Sequence, residues 1–167
     1  KGGSMKNFLF LLLLIPSVSG VTSNNSVESK QIECLSEALY FEGRSESEKG
    51  QRAIAEVIFN RIANKSYPST VCTVVRQAKF YPSGGIDLHS CQFSYYCDGK
   101  PEDYKEGDAF ISTYTLSYSI MESTATNITQ GATHYHSKTT NPYWTASLVF
   151  TTQIGDHLFY KKGAAKK

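Results

Sequence analysis

Residues 34–44, Cys34-Leu35-Ser36-Glu37-Ala38-Leu39-Tyr40-Phe41-Glu42-Gly43-Arg44, form the most informative segment of this chain of 167 residues. Leu35, Ala38 and Leu39 recur at the spacing of one helical face, and Glu42 occupies the next position of that face. The spacing predicts a helix over residues 30–42 that packs its apolar face on the core. It also predicts that the Glu42 carboxyl lies against apolar neighbours.

A carboxyl group at such a position suits acid–base catalysis. Desolvation disfavours the charged carboxylate, so it raises the pKa and keeps a proton on Glu42 closer to neutral pH. Such a proton can be donated to the leaving oxygen of a scissile bond. The alternative interpretation is a glutamate at a helix end that is paired with Arg44 or Arg61.

A second helix is predicted over residues 47–64. Ser47 is a suitable N-cap residue for it. Its apolar stripe consists of Ala53, Ile54, Val57, Ile58 and Ile62. The polar residues of this helix are expected to face water or a partner: Arg52, Glu56 and Arg61.

Further along the chain, helical segments give way to β-structure. A short helix is predicted over residues 71–78 and a third long one over 103–122, with a loop containing short strands over 79–102. Residues 129–137 and 144–160 are dense in Thr, Tyr, Phe and Val, which favours strands. This order predicts an α+β domain with helices first and a small antiparallel sheet last.

Both ends of the chain are interpreted as lying outside the folded domain. Residues 5–20 combine a basic start, the apolar run 8–15 and small residues before a cut, which is typical of a secretory signal. The apolar run is too short for a comfortable membrane span. The full division is residues 1–4 as a vector remnant, 5–20 as the signal, 21–29 as a flexible leader, 30–162 as one domain and 163–167 as a tail that is also vector-derived.

Export predicts an oxidising destination, and the even number of cysteines agrees with it. Cys34, Cys72, Cys91 and Cys97 allow three pairings. Cys91 and Cys97 flank a short aromatic segment that they could close into a small loop, which would leave Cys34 for Cys72. We treat this pairing as a hypothesis. A zinc site is the competing interpretation, although no C-x-x-C sequence is present.

The charge balance argues against a nucleic-acid partner. The chain has 17 basic and 15 acidic residues. Four of the basic residues and none of the acidic ones lie in residues 1–20 and 163–167. The predicted domain is therefore slightly acidic, whereas a nucleic-acid binder normally presents a basic face.

Several segments of the chain, in order, resemble one known family. Besides residues 34–44 they are Gly50-Gln51, Ala55-Glu56-Val57 with Asn60-Arg61, Tyr67-Pro68 with Thr70-Val71-Cys72, Cys91-Gln92-Phe93-Ser94 with Cys97-Asp98-Gly99, Gly131-Ala132-Thr133-His134-Tyr135-His136, Pro142-Tyr143-Trp144 and Ile154-Gly155-Asp156-His157-Leu158-Phe159-Tyr160. Together they resemble the SleB-like cell wall hydrolases, a family that includes spore-cortex-lytic enzymes. The resemblance covers about residues 33–160.

The resemblance implies a lysozyme-like, SleB-type α+β domain that cuts peptidoglycan between N-acetylmuramic acid and N-acetylglucosamine by lytic transglycosylase chemistry. Its catalytic glutamate corresponds to Glu42. The family usually has glycine between the arginine and glutamate that follow, but this chain has Ser45 between Arg44 and Glu46. Glu46 is a candidate supporting catalytic residue, and Glu46 or Asp98 would be the second carboxylate if the reaction needs one.

Candidate substrate-binding residues lie in the central loop and near the predicted strands. Gln92 and Ser94 can hydrogen-bond sugar acetamido groups, while Phe93 and Tyr96 can stack on sugar rings, unless Phe93 and Tyr95 alternate into the core. The remaining candidates are expected to line the groove: His134, Tyr135, His136 and Tyr143. Trp144 is expected to pack in the core.

Two other functions compete with glycan cleavage. His134 and His136 would share a strand face, and with His89 or His157 they could hold the zinc of an amidase, although no H-E-x-x-H spacing is present. The second competing function is that of a wall-binding module that has lost catalysis. The favoured interpretation is a secreted, monomeric enzyme that acts on peptidoglycan glycan strands without a metal or other cofactor.

Overall fold

The computed structural model describes residues 22–105 and 107–163, so the predicted signal and most of the predicted tail lie outside the described residues. The described part contains four α-helices followed by a three-stranded antiparallel sheet. The predicted α+β order is therefore confirmed. None of the helices within these ranges is long and apolar enough to cross a membrane.

Helix α1 runs from Thr22 to Gly43 and carries the segment quoted first. Leu35, Ala38 and Leu39 are fully buried, as the periodicity predicted. The helix begins earlier than the predicted residue 30, so the polar stretch from Thr22 onward that was predicted to be a flexible leader is helical. No glycine or proline interrupts residues 22–42, and extending an existing helix avoids the cost of a new nucleus.

Helix α2, Glu48–Ile62, packs between α1 and the sheet. The side chain of Ser47 accepts a hydrogen bond from the Gly50 amide at 3.3 Å, which confirms the predicted N-cap. The expectation that Glu56 and Arg61 face water or a partner was wrong, because both side chains are buried inside the domain. They contact residues 126–133, whose position could not be read from the helical periodicity of α2 alone.

Two further helices and the central loop complete the helical layer. Helix α3, Val71–Val75, starts at a capping box formed by Thr70 and Thr73. Helix α4, Gly107–Met121, packs on α1, where the Ser36 and Thr113 hydroxyls approach to 3.4 Å. A 3₁₀ turn at Ser94–Cys97 and an isolated bridge between Phe80 and Ile86 are the regular structure of the central loop.

The sheet consists of β1 (His134–Ser137), β2 (Val149–Ile154) and β3 (His157–Lys161), in the order β1-β3-β2. It contains fewer residues than predicted. Gln130 and Gly131 adopt positive φ, which delays β1, and Pro142 leads into a 3₁₀ helix over Tyr143–Ser147 instead of a strand. The inner face of the sheet, which includes Phe159, packs on α2.

Two disulfides join Cys34 to Cys72 and Cys91 to Cys97. The pairing hypothesis is therefore confirmed. The first ties α1 to α3, and the second closes the central loop on itself. The second link lies in the loop whose Tyr95 stacks on Phe41, one position before Glu42 in α1.

Candidate active site

Glu42 lies in the last turn of α1, partly buried beside the sheet. The hydroxyl of Tyr135 donates a hydrogen bond to its Oε2 at 3.3 Å. Burial raises the pKa of Glu42 above its ordinary value, while this hydrogen bond and the positive charge of Arg61 act in the opposite direction. The carboxyl is therefore easier to protonate than a solvated glutamate, and its charged form is still stabilised after the proton leaves.

Arg61 is a charged residue of this site whose position was predicted wrongly from the sequence. Its side chain is buried, and its Nε donates to the backbone carbonyl of Thr133 at 2.8 Å. Its guanidinium carbon lies 5.6 Å from the ring centroid of Tyr67 and 5.5 Å from that of Phe93. Arg61 thus supplies a fixed positive charge to the Glu42–Tyr135 pair. The signal that could have found it is the polar Asn60-Arg61 pair between the apolar residues Phe59 and Ile62.

The central loop presents alternate residues to the core and to solvent. Phe93 and Tyr95 are buried, and Tyr95 stacks on Phe41 with ring centroids 4.8 Å apart. The prediction that Phe93 stacks on a sugar was therefore wrong, because its ring is 1% exposed and supports Arg61 instead. Gln92 and Ser94 are exposed. Tyr96 is partly buried and packs at the edge of the helical core.

Strand β1 divides its candidate residues between two faces. Tyr135 points towards α1 and packs on Phe159, with ring centroids 5.8 Å apart. His134 and His136 share the other face, as alternation predicts, and both rings contact Trp144. Tyr135 reaches Glu42 through its hydrogen bond, whereas the two histidines lie on the opposite side of the strand from it.

That opposite side is an aromatic face formed by His134, His136, Trp144 and Tyr160. His136 stacks on Tyr160, and its Nε2 lies 3.1 Å from the Tyr160 hydroxyl. Burial, together with the charges of Arg61 and Lys162, lowers the pKa of His134 to about 4, so this ring is neutral at neutral pH. Tyr143, next to the face in sequence, is 94% exposed. Trp144 is only partly buried, so the expectation that it packs in the core is met in part.

The two candidate second carboxylates are engaged elsewhere. Glu46 contacts the turn between β2 and β3, where its carboxylate accepts from the Asp156 amide and lies 3.3 Å from Nδ1 of His157. Asp98 is exposed and bound to Lys100 through both backbone and side chain. The Lys100 contacts lower the pKa of Asp98. In this structure each carboxylate is thus held by its own local partners.

A cavity of about 330 Å³ lies beside the C-terminal end of α1. Its aromatic floor comes from Tyr40, Phe41 and Tyr95, and its charged rim includes Arg44 and Lys100. Glu42 is not among its lining residues. A second cavity of about 400 Å³ lies between α2, the end of α4 and residues 123–126, and its lining mixes apolar side chains with charged and polar ones such as Arg52 and Glu56.

No group of three or more His, Cys, Asp or Glu residues within residues 22–105 and 107–163 is arranged to hold a metal ion. The ring nitrogens of the β1 histidines have protein partners. Nδ1 of His134 contacts the Thr133 hydroxyl at 2.9 Å, and Nδ1 of His136 contacts the Ser137 carbonyl at 2.8 Å.

Comparison with known sequences and structures gives consistent relatives. The family described as "Cell Wall Hydrolase" matches residues 45–160, a range that begins just after Glu42. Two spore cortex-lytic enzymes of Bacillus cereus are each 33% identical over 66 residues, which is 40% of this chain. That match spans only 26% of the length of these curated relatives.

Two solved structures share the fold. The crystal structure of the catalytic domain of the Bacillus cereus SleB protein is 26% identical, with a TM-score of 0.54, and the match covers 78% of this chain and 89% of that one. The catalytic domain of the germination-specific lytic transglycosylase SleB from Bacillus anthracis has a TM-score of 0.55 at 22% identity, with 86% and 98% covered. The second likeness is one of fold alone.

Proposed function

The chain belongs to the cell wall hydrolase family, and from this premise we propose that it is a lytic transglycosylase that cleaves peptidoglycan between N-acetylmuramic acid and N-acetylglucosamine. Glu42 is the acid and base of the proposed reaction. The observation that supports the proposal most directly is that the Glu42 carboxyl is partly buried and accepts a hydrogen bond from the Tyr135 hydroxyl. Its raised pKa agrees with a group that must start the reaction with a proton.

In the first step, Glu42 donates its proton to the glycosidic oxygen between the two sugars. The bond from that oxygen to C1 of N-acetylmuramic acid breaks, and the leaving sugar departs with a neutral hydroxyl. Positive charge develops on the ring, as in other glycosidase transition states. The carboxylate left on Glu42 is stabilised by the Tyr135 hydroxyl and by the charge of Arg61.

In the second step, the 6-hydroxyl of the same N-acetylmuramic acid attacks C1. The Glu42 carboxylate takes the proton from that hydroxyl, which returns Glu42 to its starting state. The product is a 1,6-anhydro ring, and no water is consumed. One carboxyl therefore serves both steps, whereas an ordinary glycosidase needs two.

The engagement of Glu46 and Asp98 supports a mechanism with one carboxyl. The Glu46 carboxylate accepts a hydrogen bond from the Asp156 amide, and the Asp98 carboxylate accepts one from Lys100. A hydrolytic mechanism would need one of them to activate water or to attack C1. Either role would require that residue to leave the partners that hold it here.

The glycan strand is proposed to bind across the central loop and the sheet. Gln92 and Ser94 are exposed and have side chains that can bond to acetamido groups. The fully exposed ring of Tyr143 next to the aromatic face suits stacking on a sugar, and His134 and His136 offer polar edges there. Tyr96 is the remaining residue that we propose contacts the glycan strand.

We further propose that the protein acts outside the cytoplasm as a monomer. Its family acts on cell walls, and the two disulfides suit an oxidising compartment. The division of the chain into a signal over residues 5–20 and a catalytic domain over residues 30–162 remains part of this proposal, with the domain extended to Thr22 by α1.

The test is digestion of a purified peptidoglycan suspension, followed by mass spectrometry of the soluble fragments. We expect the suspension to clear and the fragments to end in anhydro-muramic acid, one water lighter than the hydrolytic product. Fragments with reducing ends would show that the protein hydrolyses the glycan and is not a transglycosylase. New amino termini would mean an amidase and would overturn the proposal.

The control is Glu42→Gln, which should bind the same walls without releasing fragments. If the unaltered protein also sediments with the walls and releases nothing, it is a wall-binding module.

A further inference from the structure

The carboxylate of Glu46 is held against the turn that joins β2 to β3. Its oxygens lie 3.3 and 3.4 Å from the Asp156 amide, which donates to them. Oε1 also lies 3.3 Å from Nδ1 of His157, although the angle is not that of a hydrogen bond. Burial lowers the pKa of His157 and so favours its neutral ring, which makes this a packing contact more than an ion pair. The two side chains are only 10% and 12% exposed. Glu46 is thus largely enclosed, although it belongs to the short connection between α1 and α2.

Two glycines leave the space that this carboxylate fills. A Cβ at Gly155 would lie 2.0 Å from Oε2 of Glu46, and a Cβ at Gly50 would lie 2.9 Å from the same atom. Gly155 also has a φ of +57°, where a side chain is strained in any case. The position of the Glu46 carboxylate is therefore defined on both sides by backbone that only glycine allows to approach so closely.

His157 connects Glu46 to the candidate active site. Its ring meets the ring of Tyr135 edge to face, with centroids 5.1 Å apart and planes at 90°. The hydroxyl of Tyr135 is the one that donates to Glu42 at 3.3 Å. A continuous series of contacts therefore runs from Glu46 through His157 and Tyr135 to Glu42.

We propose that Glu46 and His157 are positioning residues, which fix the ring of Tyr135 so that its hydroxyl reaches Glu42. Glu46 holds the His157 ring in place, and that ring blocks one side of Tyr135. This inference rests on the proposed role of Glu42. It differs from the expectation that Glu46 is itself a catalytic carboxylate, because here Glu46 touches neither the sugar nor the reacting atoms.

The first test is a double-mutant cycle on wall digestion. Glu46→Gln keeps an oxygen for the Asp156 amide but loses the charge, and His157→Leu removes the ring edge. Each substitution should lower kcat by roughly 10-fold to 100-fold with little change in KM. A displaced Tyr135 would leave Glu42, the proton donor, wrongly placed but would not affect substrate binding. In a Tyr135→Phe background neither substitution should lower kcat further, since the hydroxyl through which they act is gone.

The matched control is Glu48→Gln. Glu48 is exposed at the start of α2 and pairs with Arg52 at 2.8 Å. Glu48→Gln removes one negative charge from the same region without changing the contacts that run from Glu46 to Glu42. The kcat of this variant should therefore stay at the level of the unaltered protein. Additive losses of kcat in the Tyr135→Phe background would overturn the inference and make Glu46 a catalytic group in its own right.

A second test needs no substrate and so separates this inference from the proposed function. The carboxyl carbon of Glu42 is titrated by NMR in the full chain. Because the Tyr135 hydrogen bond lowers the pKa of Glu42, its loss in Tyr135→Phe should raise that pKa, and Glu46→Gln and His157→Leu should raise it as well.

The direction of the shift is decisive for Glu46→Gln. Removal of a nearby negative charge alone would lower the pKa of Glu42, whereas loss of the Tyr135 contact raises it. A lowered or unchanged pKa, or a fall in melting temperature with kcat intact, would contradict the positioning role. If the unaltered protein releases no wall fragments, the proposed function fails while this titration still tests the contacts.

Discussion

At residue 42, burial and polar contacts act on the same carboxyl in opposite directions. Burial favours the protonated form, and the Tyr135 hydroxyl and Arg61 favour the carboxylate. A group that must give a proton and later take one back needs both influences. The balance between them is set by three side chains that come from α1, α2 and β1.

Glu42→Gln should reduce wall digestion by about 10²- to 10⁴-fold, the range expected for loss of a general acid or base. The same change should stabilise the fold at neutral pH. Because the folded-state pKa of Glu42 is raised, its carboxyl favours folding most below its unfolded pKa near 4.5, and this contribution is lost as pH rises through the folded pKa. Thermal unfolding at pH 7 and pH 4 checks this, since the higher melting temperature of the variant should disappear at the lower pH.

Arg61→Met should move the pH profile of the enzyme. Loss of the positive charge removes an influence that lowers the pKa of Glu42, so the pH above which kcat/KM declines should rise. Arg61→Lys retains the charge and should leave that decline closer to its original pH. A profile that is unmoved in Arg61→Met would show that the guanidinium does not act on Glu42.

Much of this chemistry was predictable from the sequence, but only where local spacing carries it. Glu42 continues an apolar helical face, so both its burial and its raised pKa could be inferred. Arg61 was misplaced because its hydrogen-bond partner is the carbonyl of Thr133, which is 72 positions away. Phe93 was assigned to the sugar because an aromatic residue in a loop has no local signal that distinguishes a core ring from an exposed one.

At the scale of elements, α2 is amphipathic in an unusual sense, because it buries polar groups as well as apolar ones. The Glu56 carboxylate accepts from the amides of Ile128 and Thr129 and from the hydroxyls of Thr126 and Thr129. The amide of Asn60 donates to the Ala132 carbonyl at 2.8 Å. These bonds satisfy backbone groups of the loop over residues 126–132, which does not pair with a strand. They also fix the position of the loop where it leads into β1.

The elements themselves were predicted better than their ends. Existence and order of the helices followed from periodicity, and the small sheet followed from the aromatic and β-branched residues near the C-terminus. The limits of β1 and β2 depend on Gln130 and Gly131, which adopt positive φ, and on Pro142, which leads into a 3₁₀ helix. Such limits are tertiary properties that a local pattern does not contain.

Gly155→Ala tests the close approach of Glu46 to the β2–β3 turn. Any alanine at a positive φ costs roughly 1–2 kcal/mol, and here its Cβ would also meet the Glu46 carboxylate. Gly99→Ala is the control, because Gly99 has a φ of +73°, nearer to that of Gly155, and a Cβ added there would meet no atom within 4 Å. Urea unfolding should show the larger loss of unfolding free energy for Gly155→Ala. Equal losses would mean that Glu46 moves aside freely.

At the scale of the whole molecule, two disulfides of very different span constrain the chain. Cys34–Cys72 links positions 38 apart and joins α1 to α3, whereas Cys91–Cys97 links positions 6 apart within the central loop. The longer link restricts the unfolded chain more, because stabilisation grows with the logarithm of the closed loop.

Replacing Cys34 and Cys72 together by alanine should lower the free energy of unfolding by about 4 kcal/mol, and replacing Cys91 and Cys97 by about 2 kcal/mol. Chemical denaturation of the two double variants measures both. The second pair should matter more for turnover than for stability, because it shapes the loop that carries Gln92 and Ser94. A larger loss of stability from the 91–97 pair would contradict the loop-length argument.

The inward polar side chains of α2 also make the candidate site depend on the far end of the chain. Glu56 accepts hydrogen bonds from Thr126, Ile128 and Thr129, which lie 70 to 73 positions away, so these bonds form only after that later segment has been made. The same segment leads into β1, which carries Tyr135. A chain still being synthesised therefore carries Glu42 without its Tyr135 contact, and the proposed power to cut arrives only with the finished fold.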